Sequence, residues 1–134
     1  MINLDTCAAI ALIGEGSPVR YTLRQYIQEK PMVLTQTALR EFRAILETVG
    51  GESEKRRGEN LLQRVNIVPD RPSARALRLK PTRRIGENDI IILGTGDCLG
   101  AVTLTSDSKA VKAALAQGVR FQVYLHPPYP LTGS

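Results

Sequence analysis

Four carboxylates occupy positions where an α/β chain presents ligands. Asp5 directly follows the short apolar run Ile2–Leu4, and Asp107 stands just past the run Ala101–Thr105. Asp89 abuts Ile90, Ile91 and Ile92, a poor place for a freely solvated acid. Glu41 sits about 100° from Phe42, at the edge of a helical apolar stripe. If these groups converge, their like charges repel and raise one another's pKa. A divalent cation removes that conflict, and hard oxygen donors suit Mg²⁺ or Mn²⁺. Taken singly, Asp5 and Asp107 read equally well as helix caps, and Glu41 as a surface acid.

The elements that must position them alternate. Ile2–Leu4, Met32–Thr35, Val65–Val68, Ala101–Thr105 and Val119–Leu125 read as short strands. Thr6–Ile13 reads as an Ala-rich helix stopped by Gly14. Val19–Lys30 follows, with Ser17 as cap, Pro18 in the first turn and Pro31 as the break. Thr37–Val49 carries the clearest helical stripe, made of Ala38, Leu39, Phe42, Ile45, Leu46 and Val49, and Gly50-Gly51 ends it. Glu52–Arg64 is charged and helical for part of its length. Ser108–Gln117 is a helix capped by Ser106 or Asp107 and closed by Gly118. The segment DIIIL is ambiguous: its isoleucines favour a strand, and the following GTGDCLG reads as a turn or a Gly-rich helix. Strands alternating with helices predict a parallel sheet covered on both faces. In such sheets ligands bind beyond the carboxyl ends of the strands, where Asp5 and Asp107 lie.

Length and composition fit this picture. A chain of 134 residues holds one domain, 1–134, with a Pro-rich tail from about residue 126. No apolar run approaches the ~20 residues that span a bilayer. The segment MINLDTCAAIALIG lacks a basic leader and carries Asp5, which reads against a secretory signal. Two cysteines without metal-ligand spacing fit a reduced, cytoplasmic setting, and Cys7 and Cys98 read as small core residues. The net charge of +5 is uneven: Lys55 to Arg84 carries +8, and the remainder −3. That stretch, punctuated by Pro69, Pro72 and Pro81, reads as a loop with a helical turn or two from Arg71 on. A basic block on a mildly acidic body points to a polyanionic partner, nucleic acid first, or to a solvated face. Arg83 and Arg84, just ahead of Asp89, are the best phosphate-contact candidates. Aromatic residues at 4% argue against a base-stacking platform. GTGDCLG has GxGxxxG spacing, a weak dinucleotide-loop match without the expected ribose acid. Asp97 reads as a solvated acid or a peripheral water ligand, and His126 as a tail residue.

The segments NLDTCAAIAL, TALREF, NDIII and LTSD, in that order, resemble the PIN domain. This is a fold of metal-dependent ribonucleases that includes bacterial toxins of VapC type. The resemblance spans nearly the whole chain and implies a three-layer α/β/α sandwich with a central parallel sheet. It implies that DIIIL is helical. It places the family's acidic tetrad on Asp5, Glu41, Asp89 and Asp107, as catalytic and metal-holding residues, with Thr6 and Thr105 as supporting polar positions. The implied cofactor is Mg²⁺ or Mn²⁺ and the implied reaction is hydrolysis of RNA phosphodiesters. An antitoxin protein and a homodimer are the implied protein partners, with no membrane. The GTGDCLG segment departs from the family's Ala-rich helix and implies a short or bent one. A non-catalytic PIN-like module that binds RNA or protein is the alternative, favoured by the basic stretch.

Overall fold

The computed structural model describes residues 1–134. Five strands, β1 (Ile2–Leu4), β2 (Met32–Thr35), β3 (Asn66–Val68), β4 (Val102–Thr105) and β5 (Val123–Leu125), form one sheet in the order β3-β2-β1-β4-β5. Every pairing is parallel, with Ile2 opposite Met32 and Val102, and Thr103 opposite Val123. Parallel strands need crossovers, and seven helices supply them: α1 (Thr6–Ile13), α2 (Val19–Ile27), α3 (Gln36–Val49), α4 (Glu52–Arg64), α5 (Ala74–Leu77), α6 (Glu87–Leu99) and α7 (Ser108–Ala116). They cover both faces, giving the three-layer sandwich. No helix is long and apolar enough to cross a membrane.

The pleat sorts side chains between the two layers. Ile2, Leu4, Leu34 and Leu104 join the larger core with α1 to α4, centred on Phe42. Asn3 and Thr103 point the other way, toward α6, where Asn3 Nδ2 donates to the Ile92 carbonyl (3.0 Å) and to Thr103 Oγ1 (3.0 Å). A smaller core of Ala76, Leu79, Ile85, Ile90, Leu93, Ala110, Ala114, Val119 and Phe121 packs around α6 and α7. Helix α1 is apolar all round and buried at seven of its eight residues, as a central helix must be.

Several expectations are corrected. DIIIL is helical, as the resemblance implies, but α6 runs unbroken through GTGDC to Leu99 rather than being short. Gly94 and Gly96 explain it: a Cβ at 94 would stand 2.7 Å from Ala76 Cβ, and one at 96 would stand 2.5 Å from Thr103 Oγ1. The glycines let α6 lie close against α5 and the sheet. Ser17 does not cap α2; its hydroxyl donates to the Ala11 carbonyl (2.7 Å), and α2 ends at Ile27, before Lys30. Helix α4 is helical over its whole length, because buried Gly58 lets it approach Leu46 and Phe42. The run Val119–Leu125 pairs only from Val123, since Val119 and Phe121 turn into the smaller core. Asp97 is not a free acid: both its oxygens take the Arg75 guanidinium (2.6 and 2.8 Å) and one takes Ser73. On α3 the buried line is Thr37, Ala38, Phe42 and Leu46, so Ile45 and Val49 are 37% and 50% exposed. Cys98 is exposed and Cys7 half-buried, so neither is a core residue.

The segment beyond β5 has no regular structure, yet it is tied down. Buried Glu54 accepts backbone N–H groups of Glu15, Gly51, Thr132 and Gly133 at 2.9–3.0 Å. Burial alone would raise its pKa, but these donors pull it down to about 2. Tyr129 packs on Gly14 and donates to the Glu15 carbonyl (2.7 Å).

Candidate active site

The chain runs outward from β1 through β2 to β3 on one side, then returns to place β4 on the other. The carboxyl edge between β1 and β4 is therefore the topological switch point, where α/β sheets bind ligands. A cavity of about 1180 Å³ opens there. Asp5, Thr6, Glu41, Asp89 and Asp107 all line it, brought from β1–α1, α3, α6 and β4–α7.

Local hydrogen bonds fix each group. Asp5 caps α1 by accepting the Thr6 N–H (2.8 Å), and its other oxygen accepts the Thr105 hydroxyl (2.7 Å). Thr105 Oγ1 also accepts the Asp107 N–H (3.0 Å), so one hydroxyl joins the acids that follow β1 and β4. Asp107 caps α7 through the Ala110 N–H (3.0 Å). Asp89 Oδ2 accepts the Gly86 N–H (2.9 Å) at the start of α6. Glu41 accepts the Thr6 hydroxyl (2.6 Å) on one oxygen and Asn88 Nδ2 (3.0 Å) on the other. Capping and lining the cavity are thus compatible roles for Asp5 and Asp107. With the side chains so engaged, no three acidic, His or Cys side chains are grouped closely enough to hold an ion.

The electrostatics are those of a carboxylate cavity short of positive charge. Burial is the main cause that pushes Asp5 up to about 6, opposed by the Thr105 and Thr6 hydrogen bonds and reinforced by Asp89. Asp89 is also raised, by burial first and then by Asp107 and Glu41, against the Gly86 N–H. The four salt bridges, Arg40–Asp70, Arg43–Glu59, Arg57–Glu15 and Arg75–Asp97, include none of the four acids. The hard oxygen donors suit a divalent cation by their chemistry, but the four side chains would have to leave these hydrogen bonds and draw together to hold one.

The cavity also shows what sequence reasoning missed. Cys7 lines it, donating to Asp5 (3.5 Å), and burial next to Asp5 pushes the thiol up to about 11. Lys109, in the first turn of α7, lines it as well. The cavity is also lined by Ile45 and Val49 of α3 and by the largely apolar segment Pro128–Leu131. The exposed half of the α3 stripe was a signal for the first two residues; nothing local marks the last four. Arg83 and Arg84 stay exposed on the loop entering α6, outside the cavity lining.

A family model described as a protein of unknown function (DUF1308) matches residues 2–134. The chain belongs to that family. Solved structures resembling this DUF1308 chain include FitAcB from Neisseria gonorrhoeae, at 18% identity and a TM-score of 0.67, covering 92% of this chain and 96% of the other. VapBC2 from Rickettsia felis, solved bound to a DNA fragment from its promoter, aligns at 16% identity and a TM-score of 0.65, covering 93% and 98%. VapBC-1 from nontypeable Haemophilus influenzae aligns at 22% identity and a TM-score of 0.62, also covering 93% and 98%. The DUF1308 chain thus has a PIN-domain fold of VapC type, as the four sequence segments led one to expect.

Proposed function

We propose that this domain is a divalent-metal-dependent endoribonuclease that hydrolyses RNA phosphodiesters. The observation that carries the reading is the meeting of Asp5, Glu41, Asp89 and Asp107 around one switch-point cavity, without an ion pair among them. Drawn together from their present hydrogen bonds, these four residues would hold Mg²⁺ or Mn²⁺. When bound, such an ion activates water and stabilises charge on a phosphodiester. Thr105 orients Asp5 and fixes the start of the turn to Asp107, and Thr6 and Asn88 hold both oxygens of Glu41. Asp5, raised to about 6 in the metal-free chain, must lose its proton to take the ion, so metal affinity should increase from pH 5 to 8. Arg83 and Arg84, exposed ahead of Asp89 and outside the cavity lining, are the proposed contacts for backbone phosphates. The likeness to VapBC complexes supports extending the proposal to a toxin with an antitoxin protein as partner; a cytoplasmic setting is proposed from the two cysteines without metal-ligand spacing.

The test is cleavage of a pooled RNA substrate by the purified chain in Mn²⁺ and in chelator. Metal-dependent cleavage lost in Asp89→Asn and Asp107→Asn, with melting behaviour of a folded protein, is the expected result. Undiminished cleavage by these variants would refute the assignment. A second reading, a PIN-like module that binds RNA or protein without cutting, is favoured by the +8 charge between Lys55 and Arg84, which needs no metal to act. RNA binding in chelator without any cleavage in Mn²⁺ would select it.

A further inference from the structure

At the end of α1 remote from Asp5, a second cavity of about 390 Å³ opens between α2 and α4. Arg24, Arg57 and Arg64 line it, Gln28 and Asn60 add two amides, and the remaining lining is apolar. No Asp or Glu lines it. Arg57 is paired with Glu15, so the uncompensated positive charge at this cavity is that of Arg24 and Arg64.

Arg57 is pinned, its Nε donating to the Ile13 carbonyl (2.8 Å) and its Nη2 to Glu15 (2.5 Å). Arg24 and Arg64 belong to none of the four salt bridges and are exposed, so their forks are free to take a ligand. The cations also feel one another. Arg20, one turn before Arg24, is held below the usual arginine range by burial first and then by the charges of Arg57 and Arg24. The rim carries backbone strain as well. Gln28, at φ +47°, is the one non-glycine residue with a positive φ, at a helix end that glycine would occupy without strain. The strained backbone keeps an amide at the lip of the cavity.

We infer that this cavity binds a nucleotide, with its phosphate on Arg24 and Arg64 and its base against the apolar floor and the amides of Gln28 and Asn60. Guanidinium forks match phosphate oxygens in pairs. The volume falls within the ~300–1,000 Å³ of small-molecule pockets. Inorganic phosphate would leave the floor and both amides unused, and an aliphatic phosphate would leave the amides unpaired. A free mononucleotide and the 5′-phosphorylated end of an RNA strand offer the same chemistry. The eight residues of α1, ~12 Å at 1.5 Å per residue, separate this cavity from the carboxylates, so the inference stands apart from the nuclease reading.

Calorimetric titration of the whole chain in chelator tests it, with adenosine 5′-monophosphate, a 5′-phosphorylated hexaribonucleotide, adenosine and inorganic phosphate as probes. The phosphorylated nucleotides should bind, the tighter of the two naming the source, and adenosine and phosphate should bind at least about tenfold more weakly. Arg24→Gln and Arg64→Gln should each weaken binding about tenfold, the effect of losing a charge-assisted contact. Both residues are exposed, so melting temperature should be retained. Lys55→Gln, which removes an exposed charge outside the cavity, should leave affinity unchanged. No binding of either nucleotide, affinity indifferent to both arginine variants, a loss on Lys55→Gln as large as theirs, or phosphate as tight as the nucleotide would each overturn the inference.

Discussion

Replacing Asp5 by Asn should stabilise the metal-free protein, and the gain should vanish in acid. The carboxyl is raised from 3.8 to about 6 in the folded chain, so folding works against its ionised form. Between those values the native state binds more protons than the unfolded state, and stability falls as pH rises. At 1.36 kcal/mol per pH unit, a shift of this size removes about 3 kcal/mol at pH 8 and about 1 kcal/mol at pH 4.5. Asn keeps the cap on the Thr6 N–H, and its amide can donate to Thr105 in place of the hydroxyl donation to Asp5. At roughly 3–5 °C per kcal/mol for a domain of this size, Asp5→Asn should melt about 10 °C above the parent at pH 8 and a few degrees above it at pH 4.5. Thermal unfolding in chelator at the two pH values measures both differences. Mn²⁺ at 1,000 times its dissociation constant should add about 4.1 kcal/mol to the parent alone and reverse the order at pH 8. A variant less stable than the parent in chelator at pH 8, or a gain independent of pH, would refute the claim that burial works against the ionised Asp5 carboxyl.

Thr105→Val should cost about 2–3 kcal/mol in urea denaturation and reduce RNA cleavage, because it strips a partner from Asp5 and from the Asp107 N–H at once. Glu54→Gln should destabilise by about 3 kcal/mol and speed amide exchange at Thr132 and Gly133, since one of its oxygens becomes a donor facing donors. The folded pKa of Glu54 is depressed from 4.5 to about 2, so its contribution is complete above pH 4.5 and fades as pH falls toward 2. The parent's melting temperature should drop through that window for this reason, and the variant's drop should be smaller. Gly96→Ala should destabilise by about 2 kcal/mol, because the new Cβ would stand 2.5 Å from Thr103 Oγ1 and 2.7 Å from Asn3 Nδ2.

What was legible in the chain was local. The αβ alternation, Asp5 after the first strand, and Asp107 opening the last helix are carried by neighbours in sequence, and the structure places them so. The stripe on α3 was legible in type but not in phase. Six apolar positions span more of the helix than the core can cover, and only the packing partners decide that Phe42 turns in and Val49 out. Ile90–Ile92 defeated propensity because a helix buried between a sheet and another layer accepts β-branched residues that an exposed one would not. Its glycines looked like breakers and are contact points. Asp97 read as a solvated acid or a peripheral water ligand, and nothing singled out Glu54; their partners Arg75 and Thr132 lie 22 and 78 residues away, beyond any periodic signal. The lining segment from Pro128 to Leu131 was hidden for the same reason.

The strand order has a kinetic side. The first strand made is the central one, and its neighbour β4 lies 100 residues downstream, with Ile2 opposite Val102. At ~5–20 residues per second of synthesis, the nascent chain waits on the order of 5–20 s before that pairing can close. The contact from Thr105 to Asp5 spans the same interval. A growing chain therefore holds its acids apart until nearly all of the fold has emerged. On the nuclease reading proposed above, cleavage waits for the sheet to close.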